Sequence, residues 1–155
     1  MQRTSRMTMG PAAIAETFIL TNGDFTTSGA SQTVSLLTLP KGSIVKGVYI
    51  KPIVLFAGGG NATVTLSVGS TAGGVAFFAP AFDVHSAVAD TTAQMTSGWK
   101  AATWAADVLT ATLTAGTDVS TLTTSGTVYV IVEMLLMEDL TATGPSGNSS
   151  SGGLF

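Results

Sequence analysis

Apolar and polar residues alternate along several stretches of the chain, with the period of two that is typical of β-strands. The longest of these stretches, Thr127–Met137, contains one charged residue, Glu133, and no glycine or proline. Its even-numbered residues are all apolar, and most of its odd-numbered residues are apolar as well. A strand that is apolar on both faces is normally covered on both faces. We therefore predict a central strand whose second face meets another sheet or another subunit.

Further strands are predicted where the alternation recurs between Gly, Pro and Asn turns. Ala62–Val68 is the clearest, because valine and leucine alternate there with threonine and serine. Ile44–Phe56 changes parity at Lys51-Pro52, and proline cannot donate to a β ladder, so we expect a bulge or an edge kink there. Other apolar runs predict strands at Ala13–Leu20, Gln32–Leu39 and Asp107–Thr114.

The connections carry signals of their own. Thr21–Asp24 contains an Asn-Gly pair and predicts a turn, after which Phe25 re-enters the core. The Thr/Ser-rich connection Gly116–Gly126 is anchored by Val119 and Leu122. Aspartates in such turns usually accept backbone hydrogen bonds, and we expect this of Asp107 and Asp118.

Two segments stay open at this level. Val75–Val88 is apolar but broken by Pro80, so its second half is either a short helix or an irregular strand. Asp90–Trp104 is a long connection that contains both tryptophans, Trp99 and Trp104, and we expect it to fold down onto the sheet.

Seven or eight short strands without a strong helix predict an all-β fold, an antiparallel β-sandwich or jelly roll. We assign residues 13–140 to this single domain. Residues 1–12, which contain Gly10-Pro11, are predicted to be an extended N-terminal arm, and residues 141–155 a flexible Gly/Ser-rich C-terminal tail. The tail ends in Leu154-Phe155, which could insert into a pocket of a neighbour.

Charge changes this picture in one respect. Only 10% of the residues are charged, against about 25% in ordinary soluble domains. Because a monomer needs charge to remain soluble, we expect much of the surface to lie against other protein. No basic patch with interleaved aromatic residues is present, so the folded body is not expected to bind nucleic acid. Arg3 and Arg6, in the N-terminal arm, could contact nucleic acid or an acidic neighbour.

The remaining composition excludes several classes of protein. The chain has no cysteine, which rules out disulfides and zinc–thiolate sites. No apolar run approaches the roughly 20 residues of a membrane span, and Glu16 interrupts the apolar stretch near the start where a signal peptide would lie. We therefore expect a protein without membrane segments that is made in the cytoplasm.

The sequence offers little catalytic chemistry. His85 is the only histidine, its neighbour Ser86 would point to the opposite face of a strand, and no Gly-x-Ser-x-Gly motif is present. Asp83, His85 and Asp90 could hold a cation, but their spacing does not match a calcium loop. We expect neither an enzyme nor a cofactor.

Glu133 interrupts an apolar face, which leaves two explanations. If its carboxylate is buried, it needs a partner such as Lys46, Lys51 or Lys100. Otherwise its end of the strand faces solvent.

Two stretches in the body of the chain carry a resemblance to a known family. Phe56–Gly69 (FAGGGNATVTLSVG), followed by Pro80–Asp90 (PAFDVHSAVAD), resembles small structural proteins of tailed bacteriophages. The resemblance covers about residues 17–138. It implies a β-sandwich component of the virion, foremost a capsid decoration (cement) protein on the capsid surface, made in the host cytoplasm. It implies no catalytic residues.

For such a protein the expected partners are the major capsid protein and further copies of the same chain, a trimer by analogy. The alternatives are a connector or tail component, or a carbohydrate-binding module that uses Trp99 or Trp104. The residues that we expect at interfaces are apolar or basic and lie on the outward face of the central strand or near the termini: Arg3, Arg6, Tyr129, Ile131, Leu135, Met137, Leu154 and Phe155.

Overall fold

The computed structural model describes residues 1–8, 13–86, 100–101 and 106–135 of the chain. The described residues form nine β-strands and two single-turn 3-10 helices, so the predicted all-β class is confirmed. The strands are β1 (Gln2–Thr8), β2 (Ala13–Thr21), β3 (Ser31–Leu39), β4 (Ile44–Ala57), β5 (Val64–Ser70), β6 (Gly74–Asp83), β7 (Lys100–Ala101), β8 (Asp107–Ala115) and β9 (Ser125–Leu135).

The strands form two antiparallel sheets, one with the order β1-β2-β9-β4-β7 and one with the order β3-β8-β5-β6. Within them β2 pairs with β9, β3 with β8, β4 with β7 and β5 with β6. The chain is therefore paired from both ends inward, as one long hairpin that has been rolled up. The β4–β9 and β5–β8 ladders join the rolled hairpin into two sheets. This arrangement is a jelly roll.

The N-terminal residues add a strand to this plan. Gln2–Thr8 lies within the predicted arm, and its backbone pairs with β2 as the edge strand of the five-stranded sheet. The sequence indicated an extended conformation but gave no sign of the pairing.

The predicted central strand is confirmed as β9, which lies between β2 and β4. Its residues Val128, Val130, Val132 and Met134 are completely buried between the two sheets. The odd-numbered residues of β9 point to the other side and are half-buried. In the described part of the chain there is no third layer over that side.

Bulges explain why β3 and β4 did not show a clean alternation. The β3–β8 register shifts between Ser35 and Leu37. In β4 a shift lies between Pro52 and Val54, at and just beyond the predicted Lys51-Pro52 position. A bulge reverses which residues face the core. Ile53 and Val54 consequently point outward and are 47% and 46% exposed.

In the ambiguous segment Val75–Val88, residues 75–83 belong to strand β6, whereas Val84, His85 and Ser86 lie in neither a strand nor a helix. β6 runs through Pro80, and it does so at the edge of the four-stranded sheet. An edge position tolerates proline, because one side of the strand needs no backbone donor. Residues 87–99 and 102–105 lie outside the described residues, as do Trp99, Trp104 and the predicted tail.

The turns and anchors agree with the sequence. The 3-10 helix Asn22–Asp24 follows β2, and the Asp24 carboxylate accepts hydrogen bonds from the Thr21 backbone N–H and hydroxyl at 2.8 and 3.0 Å. Phe25, Val119 and Leu122 are buried in the core, as predicted.

Asn61 holds together the loops at one end of the sandwich. Its side chain is 5% exposed. The amide nitrogen donates to the carbonyl oxygens of Gly58 and Asp118, each at 3.2 Å, and to the Thr121 hydroxyl at 3.1 Å. The amide oxygen accepts the Thr117 backbone N–H at 2.8 Å. One side chain therefore joins the β4–β5 connection to the β8–β9 connection.

Asp118 ties a third loop to the same end. Its carboxylate accepts hydrogen bonds from the Ser120 and Gly29 backbone N–H groups at 2.9 and 3.1 Å and from the Ser28 hydroxyl at 2.8 Å. The predicted role of Asp118 as a backbone acceptor is confirmed. The Ser120 hydroxyl also donates to this carboxylate, at 2.8 Å. The hydrogen bond from the Ser120 side chain contributes most, and together these bonds lower the pKa of Asp118 to about 2. At the opposite end Asp107 accepts the backbone N–H groups of Val108 and Ala72.

We expect Asn61→Ala to lower the free energy of unfolding by about 2 kcal/mol, because it leaves buried backbone groups without partners. Chemical unfolding with urea measures the change. Thr123→Ala, at an exposed position of the same end, is the matched control and should be nearly neutral. Equal stabilities of the two variants would contradict the role given to Asn61.

We expect Asp118→Asn to flatten the loss of stability in acid. The folded pKa of about 2 lies below the value of about 3.9 in an unfolded chain. The ionised carboxylate therefore stabilises the fold above pH ~4, and this contribution is lost as the pH falls toward ~2. Thermal unfolding between these pH values should show a steeper fall for the natural chain than for the variant. Parallel curves would refute the assignment.

Candidate assembly interface

The side of the five-stranded sheet that faces away from the four-stranded sheet is the candidate interface, and we call it the outer face. Three strands contribute to it through residues that lie next to each other in register. Its rows across β2, β9 and β4 are Thr21, Thr127 and Val54; Ile19, Tyr129 and Lys51; Thr17, Ile131 and Tyr49; Ala15, Glu133 and Gly47; and Ala13, Leu135 and Ile44.

The ring of Tyr49 lies next to Gly47 on this face. A Cβ atom added to Gly47 would be only 3.1 Å from the Tyr49 ring, so the ring occupies the space that another side chain would need. Both tyrosines of the chain, Tyr49 and Tyr129, lie on the outer face. Tyrosine presents a large, stiff and amphipathic surface, and it is enriched in protein interfaces.

The outer face carries few charges. Among its rows, Lys51 is exposed and Glu133 is half-buried. Glu133 lies opposite two small residues, Ala15 and Gly47, and is partly exposed. Of the two explanations for this charge in an apolar stretch, partial exposure is therefore the one that the structure favours.

The corresponding side of the four-stranded sheet has a different chemistry. Its rows across β3, β8 and β5 consist of small hydroxyl residues and one glycine: Ser31, Thr114 and Thr65; Thr33, Thr112 and Ser67; and Ser35, Thr110 and Gly69. The Thr33 and Thr112 hydroxyl groups are hydrogen-bonded at 2.8 Å. No charged residue is among these nine positions, and none carries a large apolar side chain.

The structure brings together three of the residues predicted for an interface. All three lie on the outer face: Tyr129 and Ile131 are in neighbouring rows, and the row of Glu133 separates Ile131 from Leu135. Arg3 and Arg6 lie on β1, where their Cα partners are Phe18 and Glu16 of β2. The other three predicted residues, Met137, Leu154 and Phe155, lie outside the described residues.

Sequence reasoning missed Ile19, Tyr49, Ile44 and Val54, which also belong to the apolar part of the outer face. Tyr49 lies between Val48 and Ile50, whose shared face was recognised as the core side, so its outward direction was available as a signal. Its position beside Ile131 depends on the β4–β9 register, which the bulges shift and the sequence does not reveal.

The residues with possible catalytic chemistry are used to hold a turn. The Asp83 carboxylate accepts hydrogen bonds from the Ser86 hydroxyl and from the His85 and Ser86 backbone N–H groups, which lowers the pKa of Asp83. The His85 ring nitrogen Nδ1 lies 2.7 Å from the Phe56 carbonyl oxygen. Among the described residues, no three His, Cys, Asp or Glu side chains come together as a metal site. Asp90 lies outside them.

The described helices are single 3-10 turns, and none of them is long enough to cross a membrane.

Two solved phage structures contain chains with a similar fold. A chain of the cyanophage Pam1 capsid asymmetric unit is 22% identical with a TM-score of 0.59, and the match covers 88% of this chain and 94% of that chain. A chain of the acidic stable capsid structure of Helicobacter pylori bacteriophage KHP30 is 16% identical with a TM-score of 0.53, and the match covers 85% and 94%. No family model and no curated protein matches the chain. Likeness at these identities shows a shared fold.

We expect two isoleucine substitutions to separate the core side of the sheet from the outer face. Ile50 is completely buried, whereas Ile131 is half-buried on the outer face. Ile50→Ala should lower the free energy of unfolding by about 2–5 kcal/mol, and Ile131→Ala by less than about 1 kcal/mol. Urea unfolding measures both. A larger loss for Ile131→Ala would mean that this side is part of a core.

Proposed function

We propose that the chain is a structural protein of a bacteriophage virion, and specifically a capsid decoration protein that stabilises the head shell by bridging capsid subunits. The observation that carries this proposal is the shared jelly roll. It extends over 88% of this chain and 94% of a chain from a phage capsid, and over similar shares for a second capsid.

The extent of the two matches also supports the kind of capsid component. Because each match covers most of both chains, the capsid chains are about as long as this one. The likeness is therefore one of whole small proteins and not of one domain within a large shell-forming subunit. A small protein added to a shell is the role of a decoration protein.

The surface of the protein supports a function in assembly. Charged residues make up only 10% of the chain, and the side chains of the described aspartates are largely engaged in holding turns. The outer face adds a row of aromatic and aliphatic residues that the chain's own described layers do not cover. Such a surface is suited to contact with other protein.

Many copies of the same contact over the shell would together supply the binding energy that a decoration protein needs. A single contact of standard size buries about 1,600 Å² and can be weak on its own. An oligomer that touches several shell subunits at once gains avidity from each additional contact. We propose a homo-oligomer, a trimer by analogy, whose partner is the major capsid protein. Its function is mechanical and needs no catalytic residue.

We expect gold-labelled antibodies against the protein to bind evenly over the heads of intact particles. The matched control is an antibody against a known tail protein on the same particles. Label at one vertex or along the tail would replace the decoration role by a connector or tail role. Particles without label would contradict the virion proposal altogether.

A further inference from the structure

The basic residues of the chain lie on one sheet or in the turn that leads into it. Five of the six lie on strands of the five-stranded sheet, and the sixth, Lys41, lies in the turn that leads into that sheet. The five are Arg3, Arg6, Lys46, Lys51 and Lys100.

The acidic residues do not offset this concentration. The strands of the five-stranded sheet contain two acidic residues, Glu16 and Glu133, against five basic ones, which is a formal excess of three positive charges. The strands of the other sheet contain Asp83 and Asp107 and no basic residue. The chain as a whole has a formal charge of −3. The strands of the two sheets therefore differ in the sign of their formal charge, +3 against −2.

We propose that the outer face is the side by which the protein docks, and that its partner is a protein surface with an apolar centre and carboxylates around it. This inference rests on the proposed function, because it names the chemistry of the shell surface that a decoration protein would bind. It also gives the protein an orientation, with the four-stranded sheet directed away from the shell.

The centre of the outer face is built for protein contact. Ile19, Tyr129, Ile131 and Tyr49 adjoin one another across three strands and are all half-buried, so a partner can remove their remaining apolar surface from water. The Tyr49 ring lies beside Gly47, where a larger residue would crowd it, and this neighbour restricts where the ring can go. A preorganised aromatic side chain loses little conformational entropy on association.

The charge beside this centre selects the partner. Lys51 is exposed and lies next to Tyr129 in register, at the border of the apolar residues. A cation at the rim of an interface accelerates association with an acidic surface and disfavours a basic one. Nucleic acid is a poorer match, because its binding needs several cations placed along a phosphate backbone. Among the rows of the outer face Lys51 is the single lysine, and the centre beside it consists of two isoleucines and two tyrosines.

The hydroxyl rows of β3, β8 and β5 on the opposite sheet lack both features. They offer neither a large apolar side chain nor a cation. Thr110, Thr112 and Ser67 are already buried within the chain, so a partner would gain little area there.

The test compares two lysine variants in binding to heads from which the protein has been removed. Lys51→Glu and Lys41→Glu change the net charge equally, and both residues are exposed, but Lys41 lies in the turn between β3 and β4, outside the outer-face rows. We expect Lys51→Glu to weaken binding about tenfold and Lys41→Glu to weaken it less than about twofold. Added salt should weaken the natural chain and have less effect on Lys51→Glu.

A second pair tests the apolar centre. Tyr129→Ser should weaken binding about tenfold or more, whereas Thr114→Ser, in the hydroxyl rows, should leave it unchanged. Thermal unfolding of each variant verifies that the fold is intact. Equal effects of the two lysine variants would overturn the inference. A change in the size of the free oligomer with Lys51→Glu would also overturn it, because the outer face would then contact a second copy of the chain. Tight binding of a short DNA duplex to the natural chain would overturn it as well.

The binding experiment distinguishes a wrong function from a wrong orientation. If the natural chain does not bind the heads at all, the decoration role is wrong. If it binds and Lys51→Glu binds equally well, the decoration role stands and the orientation is wrong.

Discussion

Burial of the even-numbered side of β9 against the four-stranded sheet is the interaction on which the rest of the structure depends. Val128, Val130, Val132 and Met134 are fully removed from water, and their strand pairs with β2 on one side and β4 on the other. This position fixes the register of three strands at once. It also dictates that the odd-numbered residues point away from the core, because successive side chains of a strand alternate. The outer face is thus a consequence of how the core is built.

The sequence predicted the parts of this structure that depend on local pattern. A period of two identified β9, and isolated apolar residues between turn signals identified Phe25, Val119 and Leu122 as core anchors. Features set by neighbouring strands were beyond its reach. Pro80 argued against a strand, yet β6 tolerates it because it lies at a sheet edge. The contact between Tyr49 and Gly47 follows from the conformation of β4, which no pattern of residues states.

The candidate interface shows the same division. Tyr129, Ile131 and Leu135 were predicted because one strand alone reveals which of its residues share a face. Ile19 and Tyr49 join them only through pairing across β2 and β4. The low charge of the chain indicated contact with other protein, but only the strand order shows that the basic residues belong to one sheet. We propose that this separation decides which side of the protein meets its partner.

A cryo-electron microscopy reconstruction of the phage head tests the account most directly, because it shows both the position and the orientation of the protein. We expect a jelly roll on the outside of the shell, with the five-stranded sheet facing the capsid subunits and Tyr129 and Lys51 within the contact. Density with the four-stranded sheet against the shell would contradict the proposed orientation. A shell without such density would contradict the decoration role.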